Sequence, residues 1–247
     1  MNEINDVQYL SGTHPVTQAL LSRRRPLFNL FLSAKKGAEE LVRLAGEAGV
    51  PVQRADNERV GRMAGTSRHQ GAVLECGPLP TFELEELTRF EPPGGKDLIV
   101  LLSGVEDPQN LGAVVRTCSF LGTRALVLPA KGAAPLSPAA SRASAGALEA
   151  FPVAVVRGAS NACASLTEAG YEVVGVEKGG APLAGWEPAG GKVALVVGSE
   201  DKGLGGRVRS ACSRIVTIEG EGPTGSLNLS VAAGIAINHV IRQMKSS

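Results

Sequence analysis

The chain has 247 residues, of which 43% are hydrophobic and only 4% aromatic, so we expect an aliphatic core in one large domain or two smaller ones. A formal net charge of +1 argues against bulk electrostatic binding of nucleic acid, and no run of about eighteen apolar residues could span a membrane. The four cysteines form no C-x-x-C pair and the start shows no basic and apolar leader, so the sequence predicts a cytoplasmic protein without a disulfide framework or a metal.

The first 80 residues alternate helical and extended patterns, which predicts a small α/β/α domain. Thr13 can cap its first helix, with Pro15 in the first turn. Two basic clusters, at residues 23–25 and 35–36, are either solvated helix ends or contacts to phosphate. The predicted helices are 13–21, 38–47 and 57–63, and the predicted strands are 27–32, 50–53 and 72–75.

Residues 81–96 are predicted to be a linker between two domains. An acidic run at 83–86 is followed by Pro-Pro-Gly-Gly at 92–95, which neither a helix nor a strand tolerates well. The predicted domains are therefore 1–80 and 97–247.

The second domain alternates strands and helices more clearly. Its strand candidates are nearly continuous apolar runs, as expected of a mostly parallel sheet that is buried on both faces, and ligands bind such sheets at the carboxyl ends of the strands. The predicted strands are 98–102, 125–128, 153–156, 172–176, 193–197 and 214–218. The predicted helices are 111–121, 138–145, 161–169, 204–210 and 229–243.

Common nucleotide-binding motifs are missing from this domain. No G-x-G-x-x-G follows the strand at 98–102, and the glycines of residues 198–203 precede Leu204 where a phosphate-binding loop would continue with Lys and Ser or Thr. Instead, polar loops at 198–200, 219–225 and 226–230 each follow a strand late in the chain. In the last of them, Ser and Asn alternate with Leu, a pattern typical of a ligand loop fixed by buried leucines.

Three segments of the second domain resemble the motifs of the SpoU (TrmH) family of RNA ribose 2′-O-methyltransferases. They are residues 107–117 (DPQNLGAVVRT), 195–204 (LVVGSEDKGL) and 226–233 (SLNLSVAA), in the family's order and spacing. In the first domain, residues 12–16 (GTHPV) and 69–73 (HQGAV) resemble the ribosomal-protein-like, RNA-binding domain of the family's ribosomal RNA branch.

The resemblance implies a SPOUT-type α/β domain with a deep trefoil knot at its C-terminal end, S-adenosylmethionine as the cofactor, and a homodimer. The expected substrate is a guanosine ribose in large-subunit (23S-type) ribosomal RNA. A transfer RNA methyltransferase and a non-catalytic RNA-binding or ribosome-assembly protein are the alternatives. By position, the cofactor contacts fall on Gly198, Ile218 and Leu227, largely through backbone groups, with Ser226 and Asn228 beside them.

The same resemblance assigns catalytic roles to five polar residues. Arg116 would activate the ribose hydroxyl, unless it only pairs with a carboxylate of the fold. Asn110 would orient Arg116 or the ribose, or cap the helix predicted to begin at residue 111. Glu200 would fix Arg116 or the RNA, or serve only as a turn residue. Asn228 and Ser230 would hold the substrate or the methionine end of the cofactor, or cap the last helix.

Three residues depart from the family pattern. Glu219 and Gly220 follow Ile218 where members usually have Pro-Met, and Gly225 stands where an acidic residue often precedes the serine. We therefore expect the loop at 219–225 to be more mobile than in most members; the sequence leaves the effect on cofactor affinity open.

Overall fold

The computed structural model describes residues 7–33, 38–89, 91, 93–200 and 202–246. These residues form two compact units. The first runs to Pro80 and also takes in Leu136–Ala150, and the second comprises Thr81–Pro135 and the chain from Phe151. The predicted division at residue 80 therefore differs in one respect: residues 136–150, assigned by sequence to the second domain, pack with the first.

In the described part of the first unit, four strands form a sheet in the order β1-β4-β2-β3. Strand β1 was not predicted, because its four residues QYLS carry no clear alternation; it pairs antiparallel with β4. The strands are β1 (Gln8–Ser11), β2 (Leu27–Leu32), β3 (Val52–Arg54) and β4 (Ala72–Cys76). The helices α1 (Thr13–Ser22), α2 (Ala38–Glu47) and α3 (Asn57–Ala64) agree with the predicted ones within a residue at each end.

The three arginines at 23–25 each make polar contacts within the first unit. Arg23 donates from Nη2 to the carbonyl of Glu47 at 2.7 Å, and Arg24 donates from Nη2 to the carbonyl of Pro80 at 3.2 Å. Arg25 is buried against Glu149. Arg23 is thus an exposed helix end, as one alternative predicts, whereas Arg25 is buried and closed to phosphate. The second basic cluster, Lys35 and Lys36, lies outside the described residues.

Part of the predicted linker is a helix of the second unit. Helix α4 (Leu84–Thr88) begins with a capping box, in which the Glu86 side chain accepts from the backbone N–H of Glu83 at 3.0 Å. Leu84 and Leu87 are buried in the core of that unit. The acidic residues of the run thus cap and coat a short amphipathic helix.

The described residues of the second unit contain a parallel sheet with the strand order β10-β8-β9-β5-β6-β7, so all the predicted strands are confirmed. The strands are β5 (Asp97–Ser103), β6 (Ala125–Pro129), β7 (Val153–Val156), β8 (Glu172–Pro182), β9 (Lys192–Gly198) and β10 (Arg214–Thr217). The helices are α5 (Pro108–Leu121), α7 (Ala159–Glu168), α8 (Gly206–Ala211) and α9 (Leu229–Ser246), while α6 (Pro138–Ala143) belongs to the first unit.

The last helix brings the C-terminal motif back to the middle of the sheet. Strand β10 lies at one edge, yet α9 packs on α5, which follows the central strand β5. A Cβ placed on Gly234 would lie 3.8 Å from Cγ2 of Thr117, so the two helices approach closely at that point. The path of the chain therefore returns from the edge to the centre; the trefoil knot stays a prediction. Among the described helices, none is both long and apolar enough to cross a membrane.

Candidate active site

Three polar side chains from distant segments meet in one hydrogen-bonded cluster. Asn228 donates from Nδ2 to Oδ1 of Asn110 at 3.0 Å and to Oε1 of Glu200 at 2.8 Å. Asn110 in turn donates from Nδ2 to the same Glu200 oxygen at 3.4 Å. We call Asn110, Glu200 and Asn228 the amide–carboxylate cluster. It joins all three sequence motifs at the carboxyl ends of the central strands.

The sheet explains why Asn110 and Glu200 are neighbours. Strands β5 and β9 pair in parallel through to the last residues of each, Ser103 and Gly198, so the loops that leave them begin side by side. Helix α5 starts at Pro108 and is capped by Asp107, whose carboxylate accepts from Gln109 N at 2.9 Å. Asn110 is therefore inside the first turn and is not the cap that one interpretation of the sequence proposed.

Of the two roles considered for Asn228, the structure shows the cap of α9, while contact with a substrate or cofactor stays a prediction. Its Oδ1 accepts from the backbone N–H of Ser230 at 2.9 Å and from the Ser230 hydroxyl at 2.6 Å, which caps α9. The backbone N–H of Leu229 donates to Glu200 Oε1 at 2.9 Å. The Glu200 carboxylate thus lies at the positive end of α9, and Glu200 is more than a turn residue.

Arg116 is exposed on α5 and, among the described residues, has no hydrogen bond or ion pair. The alternative that it is bound to a carboxylate of its own chain therefore finds no support in the described structure. Its guanidinium is therefore available to a ligand.

The residues expected to bind a cofactor lie on the two loops that follow β9 and β10. Gly198 is the buried last residue of β9, and a side chain there would overlap the backbone of Gly203. Ile218 follows β10 directly and is half-buried, whereas Ser226 and Leu227 are exposed. Within the described chain, residues 219–227 make no backbone–backbone hydrogen bond, which leaves their polar groups open to a ligand or to water.

A cavity of about 330 Å³ adjoins the amide–carboxylate cluster. Asn110 and Glu200 line it, together with residues that the sequence interpretation did not select: Gly104, Val105, Glu106, Ser199, Lys202 and Leu229. Ser199 and Lys202 lie inside the second motif, so their place in that motif could have identified them as site residues. A larger groove of about 820 Å³ lies between Leu183, Ile218 and the second half of α9. Ile218 is the single predicted site residue on that groove, so the cavity beside the cluster is the better candidate for chemistry.

Comparison with known proteins decides the family. The sequence model described as "SpoU rRNA Methylase family" matches residues 97–238, more than half of the chain. The chain belongs to the SpoU rRNA methylase family. A second model, described as "RNA 2'-O ribose methyltransferase substrate binding", matches residues 9–82 of this SpoU protein. The resemblance inferred from the three motifs is thereby confirmed.

Relatives of this SpoU protein match it over nearly its whole length. A Mycolicibacterium gilvum protein named an uncharacterized tRNA/rRNA methyltransferase is 34% identical over 252 residues, covering 98% of this chain and 79% of the relative. The Bacillus subtilis protein YacO, named as a TrmH-family tRNA/rRNA methyltransferase, is 31% identical over 239 residues and 95% of each chain. The chain is thus an RNA methyltransferase of the SpoU family.

Solved structures confirm the predicted α/β fold. The crystal structure of the SpoU methyltransferase AviRb from Streptomyces viridochromogenes with AdoMet has a TM-score of 0.81 at 20% identity, covering 98% of this chain and 92% of that one. An AdoMet-bound rRNA methyltransferase from Sinorhizobium meliloti has a TM-score of 0.78 at 20% identity, covering 96% and 87%.

Replacing Glu200 by alanine is expected to loosen the third motif. The change removes the acceptor for Asn110, Asn228 and the Leu229 amide, and we expect a loss of about 1 kcal/mol in the free energy of unfolding and about a tenfold fall in methyl transfer to RNA. Glu200→Gln keeps one acceptor oxygen and should fall between alanine and wild type. Urea unfolding and initial rates measure both effects; unchanged rates with alanine would contradict a role for the cluster.

Proposed function

We propose that this SpoU-family chain transfers a methyl group from S-adenosylmethionine to a ribose 2′-hydroxyl of RNA, the target being a guanosine of large-subunit ribosomal RNA. The observation that carries the proposal is the meeting of Asn110, Glu200 and Asn228 beside a cavity at the carboxyl ends of β5 and β9. The substrate-binding model matched by residues 9–82 supports the ribose as the acceptor.

The loops after β9 and β10 fit S-adenosylmethionine. Backbone groups of Gly198, Ile218 and Leu227 would hold it, with Ser226 and Asn228 beside them. The fit rests on the free backbone groups of residues 219–227, since a nucleoside cofactor can be recognised by main-chain donors and acceptors alone. When bound, the sulfonium supplies an electrophilic methyl group, so the protein has only to align and activate the hydroxyl.

Activation of the hydroxyl falls to Arg116 in this proposal. A guanidinium does not act as a base at neutral pH, but it stabilises the negative charge that develops on the ribose oxygen and can clamp a neighbouring phosphate. The hydroxyl of Ser230 donates to Asn228 and keeps its lone pairs free to accept from the substrate. Asn110, held by Asn228 and Glu200, would orient the ribose.

The proposal is tested by transfer of radiolabelled methyl groups to RNA from a strain that lacks the protein. Label at a 2′-O-methylguanosine of large-subunit ribosomal RNA supports it. Label confined to transfer RNA would instead support the transfer RNA alternative. No label in any RNA, with no calorimetric binding of S-adenosylmethionine, would refute the enzyme and leave a non-catalytic RNA-binding protein.

Restoring the family's Pro-Met after Ile218 is expected to tighten cofactor binding. Glu219 and Gly220 lie in an exposed loop, and proline at a compatible position restricts the unbound loop. For Glu219→Pro with Gly220→Met we expect a two- to fivefold lower Kd, roughly the effect of such a restriction. Titration calorimetry with S-adenosylmethionine measures it, with Glu221→Gln as the control; equal or weaker binding would contradict the idea.

A homodimer, also part of the proposal, is favoured by apolar side chains exposed on the two helices that pack together. Phe120 on α5 is 87% exposed, and Val231 and Ile235 on α9 are 49% and 42% exposed. We expect Val231→Asp with Ile235→Asp to sediment as a monomer of 25.4 kDa, because charges would be buried in the interface. Leu21→Asp, on the exposed side of α1, is the control; a wild type that sediments as a monomer would refute the dimer.

A further inference from the structure

Strand β8 leaves its regular pairing beside the site. Strand β10 pairs with Val174 and Gly175, and then, across a shift in register, with Ala181 and Pro182. On its other side, β8 pairs with β9 only as far as Val176. Residues 177–180, the β8 bulge, are thus released from both ladders. Bulges next to active sites commonly serve to aim a side chain.

The side chain aimed by this bulge is Glu177. Its Oε1 accepts from the backbone N–H of Leu204 at 3.1 Å, and its Oε2 is paired with Nη1 of Arg209 on α8. Gly203 has a φ of +61°, and any side chain there would overlap the Glu177 carboxylate. The carboxylate therefore contacts the last two residues of the second motif, Gly203 and Leu204.

That end of the motif fixes the position of Gly198. Ser199 and Gly203 exchange two backbone hydrogen bonds, of 3.1 and 3.0 Å, which hold these two residues side by side. A Cβ on Gly198 would overlap the backbone of Gly203, so the two glycines are in direct contact. A displacement of Gly203 therefore moves the backbone of Gly198.

The same bulge reaches the second loop of the proposed cofactor site. Nζ of Lys178 lies 3.9 Å from the place where a Cβ on Gly225 would stand. Gly225 directly precedes Ser226 and Leu227. Neighbouring residues of one bulge thus lie beside both loops expected to hold the cofactor.

We infer that Glu177 is a positioning residue for the cofactor: by holding the Leu204 amide and Gly203 beside it, it sets the backbone of Gly198 for binding. The inference rests on the proposed function. The rival interpretation is that Glu177 only stabilises the fold through its ion pair with Arg209. Glu172 offers a matched control, because it lies on the same strand, is similarly half-buried, and accepts from the Ala189 amide at 2.9 Å far from the site.

The test compares Glu177→Ala with Glu172→Ala and Arg209→Met. Calorimetry with S-adenosylhomocysteine reports cofactor affinity, and hydrogen exchange reports the Leu204 amide in the ligand-free protein. For Glu177→Ala we expect about a tenfold higher Kd and about tenfold faster exchange at Leu204, the effect of losing one charge-assisted hydrogen bond. Glu172→Ala and Arg209→Met should keep both values within about twofold, since they leave that bond intact.

The outcomes separate the two interpretations. Equal Kd values for Glu177→Ala and Glu172→Ala would overturn the inference, as would unchanged exchange at Leu204. If Glu177→Ala does not fold, Glu177→Gln takes its place, with an expected rise of about threefold in Kd because a neutral acceptor binds the amide less strongly. A wild type that binds no S-adenosylhomocysteine refutes the proposed function and the cofactor role together, whereas a binding wild type with an unaffected Glu177→Ala refutes the positioning role alone.

Discussion

Replacing Arg116 by alanine is expected to lower kcat for methyl transfer to RNA by about 10²–10³-fold, the loss typical of removing one donor to a developing oxyanion. Arg116 is exposed and, among the described residues, has no hydrogen bond or ion pair, so its removal breaks none in the described fold. The free energy of unfolding and the Kd for S-adenosylmethionine should therefore stay close to the wild-type values.

Single-turnover rates at saturating cofactor and RNA measure the effect on chemistry alone. Arg116→Lys keeps the charge but loses the planar fork, and we expect a rate between those of wild type and alanine. Arg207→Ala is the matched control, because Arg207 on α8 is also exposed. If Arg116→Ala retained near-normal rates, the assignment of hydroxyl activation to this residue would be wrong.

The second unit could be predicted closely from sequence because its signals are local. Strands buried on both faces, such as β5 and β9, read as unbroken aliphatic runs, and α5 begins at Pro108 and is capped by Gly122. Strand β1 escaped prediction because a four-residue strand depends on its partner β4 more than on its own pattern. Residues 136–150 were misplaced for a similar reason: their burial in the first unit is a long-range packing event.

For the candidate site, the motifs predicted which residues matter but not how they meet. Nothing local shows that the Asn228 amide binds Asn110 and Glu200 while its oxygen caps α9. The Asp107-Pro108 pair signals a helix start before Asn110, which would have excluded the capping interpretation. No sequence pattern identified Glu177 as a site residue, because the bulge that orients it arises only from the register of β8 against β10.

The second large effect concerns the ion pair of Arg25 and Glu149, whose side chains are completely buried in the first unit. Arg25 donates from Nη2 to Glu149 Oε1 at 3.2 Å, and its Nε lies 3.0 Å from Oε2 without the alignment of a hydrogen bond. Arg25→Met should lower the free energy of unfolding by about 3–5 kcal/mol, because an uncompensated carboxylate stays buried.

A double variant distinguishes the loss of a charge partner from the loss of side-chain packing. Arg25→Met with Glu149→Met should be more stable than either single variant in urea unfolding, since no buried charge remains; additive losses would contradict the buried-pair account.

The direction in which the stability of Arg25→Met changes with pH is an independent test of the buried ion pair. Burial raises the pKa of Glu149 and the charge of Arg25 opposes that rise, so removing Arg25 raises the pKa of this carboxyl further. In the unfolded chain the pKa of a glutamate is about 4.3. Above that pH the unfolded variant has therefore lost a proton that the folded variant retains. The stability of Arg25→Met should thus be highest in acid and fall as the pH rises towards the folded pKa. Urea unfolding at pH 5 and pH 8 measures it, and a deficit relative to wild type that is larger in acid would show that Glu149 is not the buried charge responsible.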